Sequence, residues 1–136
     1  MNDIFCQIIM GKIPSLKVYE DERVIAIADV NPVSVGHTLV VPKKHSLNIF
    51  DISEEDLKHS IALAKRLAIT YMKELNAEGV NILNASGNSA HQSVPHFHIH
   101  VIPRHVGDGI DLGFNGNPEL REKSMTALAK IKGNIL

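Results

Sequence analysis

The strongest periodic signal in the chain lies between residues 53 and 76. Leu57, Ile61, Ala64, Leu67, Ala68, Tyr71, Met72 and Leu75 recur at three- and four-residue steps, while Lys58, Lys65, Arg66, Lys73 and Glu74 fall off that stripe. This spacing places the apolar side chains on one face of a helix. Ser53, with Asp56 three positions on, supplies a cap of the capping-box form. The pattern predicts one long amphipathic helix to about Asn76, with its stripe buried as core. A shorter apolar face, Ile4, Phe5, Ile8 and Ile9, lies between a capping Asp3 and Gly11 and predicts a short opening helix.

Elsewhere the patterning is that of strands. Runs over 16–20 and 23–29, separated by Asp21 and Glu22, read as a hairpin. A third run over 37–41 ends at Pro42, a fourth over 80–84 follows Gly79, and a fifth over 96–102 stops at Pro103. Gly107, Gly109, Gly113 and Gly116 mark a mobile loop. Pro118 then opens a last helix, with Leu120, Ala127, Leu128 and Ile131 as its expected buried face. The expected architecture is α+β: an antiparallel sheet of about five strands, one long central helix, and short N- and C-terminal helices.

At 136 residues the chain has room for one domain. Its net charge of -1 gives no electrostatic case for nucleic acid, and no polybasic run suggests a membrane surface. No apolar run approaches the roughly 18 residues of a membrane span. The lone Cys6 cannot form an internal disulfide, and the N-terminus lacks a secretory pattern. A cytoplasmic setting is the expectation.

Histidine changes the picture. Five of the 8 histidines, His91, His96, His98, His100 and His105, fall in one short segment. On a strand, His96, His98 and His100 share one face, and Phe97, Ile99 and Val101 share the other. Three chemistries fit such an array. It could be a solvated sheet face, a metal site using two of the imidazoles as ligands, or a phosphate site with one imidazole as nucleophile and its neighbours as donors. Gln92 and Ser93 just before the strand are neutral donors suited to phosphate, and no carboxylate lies between Ala85 and Asp108 to serve a hydrolytic zinc. The flanks favour phosphate and leave metal open.

The run His96-Phe97-His98-Ile99-His100-Val101-Ile102 has the form His-φ-His-φ-His-φ-φ, with φ apolar, and resembles the motif of the histidine triad (HIT) proteins. Further likenesses run in the same order along the chain: Ile4 to Ile9, Ile13-Pro14, Val18 to Asp21, Asp29, Gly36 to His45, Gln92 to Val94, and Pro103-Arg104. The resemblance runs from about Asp3 to Gly109 and implies a domain over 1–109. Residues 110–136 lie outside it and are expected to pack on the same domain as a loop and helix.

The resemblance implies a hydrolase or transferase acting at the α-phosphate of purine nucleotide conjugates, adenosine phosphoramidates or dinucleoside polyphosphates. His98 would attack phosphorus to give a nucleotidyl-histidine, His100 would donate to a phosphoryl oxygen, and His96 would support the site. Gln92, Ser93 and Asn84 would hold the phosphate, and Asp29 the ribose hydroxyls. Phe5, Ile8, Ile13 and Val30 would line the base pocket, and His37 would stand behind the nucleophile. A nucleotide-binding module with little turnover would keep the same pocket, and a histidine-ligated metal hydrolase is the third alternative. The resemblance also implies a homodimer through the long helix and a sheet edge.

Some relatives carry a structural zinc on Cys-x-x-Cys, the histidine after Pro-Lys, and the first triad histidine. Here those places hold Asp3, Cys6, His45 and His96. An Asp-Cys-His-His zinc site is chemically possible, since a carboxylate oxygen can ligate zinc. Asp3, however, breaks the cysteine pair and is equally explained as a helix cap, so the expectation is no required cofactor and no bound metal, with a structural zinc as the open alternative.

Overall fold

The computed structural model describes residues 2–136. Five strands form one antiparallel sheet in the order β1-β2-β3-β5-β4: β1 (Lys17–Glu20), β2 (Val24–Ala28), β3 (Thr38–Pro42), β4 (Gly79–Leu83) and β5 (Ile99–Arg104). The helices are α1 (Ile4–Ile9), α2 (Glu54–Glu74) and α3 (Arg121–Ile131). The expected α+β architecture is the observed one. Among the described residues, no helix is long and apolar enough to cross a membrane.

The central strands are apolar on both faces because helices cover both. Val24, Ala26, Val40, Phe97, Ile99 and Val101 pack against Leu63, Ala64, Leu67 and Tyr71 of α2. On the opposite face Ile25, Ile27, Leu39 and Val41 pack against Phe5 and Ile8 of α1. Both predicted caps form: Asp3 accepts from the Cys6 amide, and Ser53 from the Asp56 amide. A hydrogen bond from Tyr71 Oη to Thr38 Oγ1 joins α2 to the sheet, since the Thr38 hydroxyl hydrogen is committed to Gly36 O.

Four details differ from the pattern-based expectation. The buried stripe of α2 is Ser60, Leu63, Ala64, Leu67 and Tyr71. Ile61 and Met72 are 44% and 58% exposed, so the face against the sheet is rotated from the one the spacing suggested. Pro103 does not stop β5, which runs to Arg104. Pairing with β3 has ended by then (Thr38↔Val101 is its last pair on that side), so the missing N–H leaves no ladder bond unmade.

Conversely, β5 begins at Ile99 and not at His96. Continuing the β3–β5 register sets Phe97 opposite Pro42, which has no N–H to give, and the Phe97 amide turns instead to Ser46 O. Finally, Pro118 opens a 3-10 turn, Pro118–Leu120, and the helix α3 itself begins at Arg121 and has no buried residue. Leu128 and Ile131 are 57% and 50% exposed. α3 therefore does not pack back on its own chain, whereas Ile110 and Leu112 before it are half-buried and Ile110 O accepts from Arg104 Nη2.

Candidate active site

His96, at the end of a bend, and His98 lie on the approach to β5, and His100 lies within it. Alternation holds: Phe97, Ile99 and Val101 enter the α2 core, whereas His96 and His98 meet the Phe5 ring at centroid distances of 5.8 and 5.0 Å. The histidine face is nevertheless not open. α1 covers it, and His96 and His98 are 0% and 3% exposed.

Burial makes each imidazole nitrogen accountable for a partner. His98 Nδ1–H donates to the His96 carbonyl at 2.8 Å. A carbonyl only accepts, so the proton sits on Nδ1 and the Nε2 lone pair is left free. The Asn84 amide donates to the His98 carbonyl at 2.9 Å, fixing the main chain on the other side of the nucleophile.

A second chain of donors orders His100. The Val33 amide donates to His37 Nδ1 at 3.1 Å, so His37 carries its proton on Nε2. That Nε2–H faces His100 Nδ1 at 2.9 Å and Asp29 Oδ2 at 3.4 Å. With Nδ1 of His100 accepting, its proton lies on Nε2, available as a donor. His37 therefore stands behind His100 and not behind the nucleophile, as had been expected. Desolvation pushes the His98, His37 and His100 pKa values below the ordinary imidazole range, Asp29 opposing this in each case; the neighbouring His98 and His37 push His100 further, down to about 4. All three are neutral near pH 7.

One cleft of about 230 Å³ gathers His98, His100, Asp29 and Ser93 with Phe5, Ile8, Ile13 and Val30. Val30 is at its rim, 98% exposed. Sequence reasoning missed Ser15, Ile27 and Leu39, which also line it; for Leu39 the signal was strand pairing with His100. Asn84 and Gln92 are not among the lining residues of this cleft. Both Gln92 amide hydrogens are taken, by Leu47 O at 2.7 Å and Val94 O at 2.9 Å, while its oxygen accepts from the Gly87 amide. Gln92 thus pins the loop before the triad. His91 is exposed in a left-handed turn, and His105 donates to Leu75 O beyond the site.

Behind His96 lies a second cluster, Asp3, Cys6, His45 and His96. Tetrahedral zinc, with bonds of about 2.0 to 2.3 Å, holds its donors roughly 3.3 to 3.7 Å apart. Here Asp3 Oδ2 is 3.2 Å from Cys6 Sγ, 3.1 Å from His45 Nδ1 and 3.2 Å from His96 Nδ1. Cys6 Sγ is 3.5 Å from His96 Nδ1 and 3.8 Å from His45 Nδ1. His96 Nε2–H donates to Pro42 O at 2.7 Å, which turns Nδ1 toward the cluster as an outer-shell partner of a ligating histidine does. Capping and ligation do not compete, because Oδ1 of Asp3 holds the Cys6 amide at 2.9 Å while Oδ2 faces the cluster. The donor set and its spacing fit zinc, the option the sequence left open at these four residues. The other grouping, Asp29, His37 and His100, is accounted for by the proton chain above.

A covered sheet face that carries one imidazole with a free nitrogen, a second with a free N–H, and a carboxylate at the mouth of an apolar slot defines a histidine-based hydrolytic site. The chain belongs to the HIT family: the sequence model of the HIT domain matches residues 10–107. It is 36% identical over 136 residues to adenosine 5'-monophosphoramidase HNT1 of Saccharomyces cerevisiae, covering 96% of this chain and 84% of that one. The solved structure of a HIT family protein from Bacillus anthracis superposes with a TM-score of 0.86 at 37% identity, covering 99% of this chain and 98% of the other. A HIT family hydrolase from Clostridium thermocellum matches at TM-score 0.67 and 36% identity, covering 84% and 96%.

The depressed histidine pKa values set a stability profile. An unfolded imidazole takes up its proton near pH 6.5, whereas the buried one resists until lower pH. Stability should therefore be fully present above about pH 6.5 and decline as pH falls toward 4, the value of His100. Thermal melts across this range should show the decline, with a flatter curve for His100→Gln; an unchanged slope in that variant would remove His100 as a contributor.

Proposed function

We propose that the protein is a nucleotide hydrolase or transferase that opens the α-phosphate of purine nucleotide conjugates through a covalent nucleotidyl-His98 intermediate. The observation that carries this reading is the fixed tautomer of His98, a cleft-lining residue whose buried Nδ1–H is held by the His96 carbonyl, which leaves the Nε2 lone pair free. A neutral imidazole so arranged is a nucleophile at neutral pH without a separate base.

Nε2 of His98 attacks the α-phosphorus, a P–Nε2 bond forms, and the P–N or P–O bond to the leaving group breaks. The charge that gathers on the phosphoryl oxygens meets the Nε2–H of His100 and the hydroxyl of Ser93. Water then adds to phosphorus and the P–Nε2 bond breaks. The leaving group takes a proton from solvent as its bond to phosphorus breaks; the later water gives its hydroxide part to AMP and returns one proton to solvent. Asp29 accepts from the ribose hydroxyls, and Phe5, Ile8 and Ile13 hold the base. Adenosine phosphoramidates are the first substrates to try, in keeping with the yeast relative's activity; dinucleoside polyphosphates are the second.

On an adenosine phosphoramidate, His98→Ala and His98→Asn should lower kcat/KM by about a thousandfold or more while AMP still binds. Turnover that survives both substitutions would falsify the nucleophile. AMP binding by the wild type with no turnover of any candidate would mark a binding module instead.

Asp3, Cys6, His45 and His96 would hold a structural zinc, which, when bound, supplies a crosslink between α1 and the approach to the triad. The distances among the four donors support this. Protein from zinc-supplemented growth should carry about one zinc per chain, and cobalt substitution should give a thiolate charge-transfer band that Cys6→Ser loses. A wild type that takes up neither metal, with no rise in Tm on adding zinc, would overturn the site. The reduced thiol this requires suits a cytoplasmic setting.

The assembly is a homodimer through α2 and the β4 edge, since Ile61, Ile69, Met72, Val80 and Ile82 stand exposed along that side. Ile69→Glu combined with Met72→Glu should shift the mass measured by light scattering from dimer to monomer. A wild type that is monomeric at micromolar concentration would dismiss it.

A further inference from the structure

Four buried hydroxyls have no hydrogen-bond partner among the described residues: those of Ser15, Ser34, Ser46 and Ser60. Of these, Ser15 alone lines the His98 cleft. Its place in the fold is specific. Lys17 pairs with Ile27, and the Ala28 amide donates to Leu16 O at 2.9 Å. Continuing that register sets Ser15 level with Asp29, which lines the same cleft. On its other side the chain passes through Pro14 to Ile13, in the apolar slot with Phe5 and Ile8. Ser15 thus stands between the carboxylate and the slot.

An orphaned hydroxyl buried in a protein interior is unfavourable, and alanine would fit the same place without it. A serine hydroxyl swings between staggered positions about one bond, so an acceptor seated in the cleft can supply the missing partner. If the ribose hydroxyls lie on Asp29 and the base in the slot, the atom of a purine nucleoside between them is N3, an acceptor on the sugar-facing edge. We infer that Ser15 is a specificity-determining residue of the nucleoside site, its O–H donating to purine N3. This inference rests on the nucleotide reading given above, and the catalytic chemistry does not depend on it.

The test is a cycle of calorimetric titrations: wild type and Ser15→Ala, each with AMP, 3-deaza-AMP and 2'-deoxy-AMP. The wild type should bind AMP about five- to tenfold more tightly than 3-deaza-AMP, and Ser15→Ala should bind the two alike. Both proteins should lose similarly on removal of the 2'-hydroxyl. The Tm of ligand-free Ser15→Ala should equal or exceed that of the wild type, since an unpaired hydroxyl has been removed; a fall in Tm would mean the hydroxyl has a structural partner and overturns the proposal. Equal AMP affinity in both proteins, or a coupling to the 2'-hydroxyl and not to N3, also overturns it while leaving the nucleotide reading intact. Failure of the wild type to bind AMP at all would overturn the nucleotide reading itself.

Discussion

The hydrogen bond from His98 Nδ1–H to the carbonyl of His96 joins two residues on the approach to one strand, and the site is organised around it. It fixes the tautomer of His98, and so decides which nitrogen faces the cleft. The bond is only as well placed as the main chain that carries it. That main chain is held by His96 Nε2 on Pro42 O, by the Phe97 amide on Ser46 O, and by Asn84 on the His98 carbonyl. Within this buried stretch, moving any of these groups would leave a polar atom unpaired, which gives the array its rigidity.

Pro42 has a part in this that goes beyond ending a strand. Its missing N–H interrupts the ladder between β3 and the approach to β5. The chain from His96 to His98 is released from regular pairing there, and the Pro42 carbonyl is taken by a side chain instead. The three histidines consequently serve three different purposes from one alternating run. His96 faces the Asp3-Cys6-His45 cluster, His98 the cleft, and His100 both the cleft and the His37 chain.

The short α1 helix has as much influence on the site as the long α2. Six residues form no stable helix alone, so α1 is held by its Asp3 cap and by Phe5 and Ile8 packing on the sheet. Through these same side chains it roofs His96 and His98, depresses the His98 pKa by excluding water, and forms the apolar part of the cleft. Asp3 adds a second use, one oxygen capping the helix and the other turned toward Cys6, His45 and His96.

Much of this was legible in the residues. Both helix caps, the strands, the common face of His96, His98 and His100, and the grouping of Phe5, Ile8, Ile13 and Asp29 with His98 follow from local pattern or family likeness. What local pattern could not reach were relations set by long-range register and by hydrogen-bond accounting. Spacing along α2 does not say which part of a broad apolar arc meets the sheet, so Ile61 and Met72 were placed inside and Leu63 was not. Gln92, a plausible phosphate donor by position, has its donors claimed by Leu47 and Val94, one of them 45 residues away. His37 supports His100 because the β3–β5 register sets Leu39, two residues on, beside that histidine. α3 carries an apolar stripe that its own chain does not cover. The sequence alone determined the chemistry available and the secondary elements that present it, because periodicity, capping and side-chain type are local properties. Only the tertiary structure decided which nitrogen is free, which donors are already spent and which four residues converge behind His96, because each depends on partners brought together from distant parts of the chain.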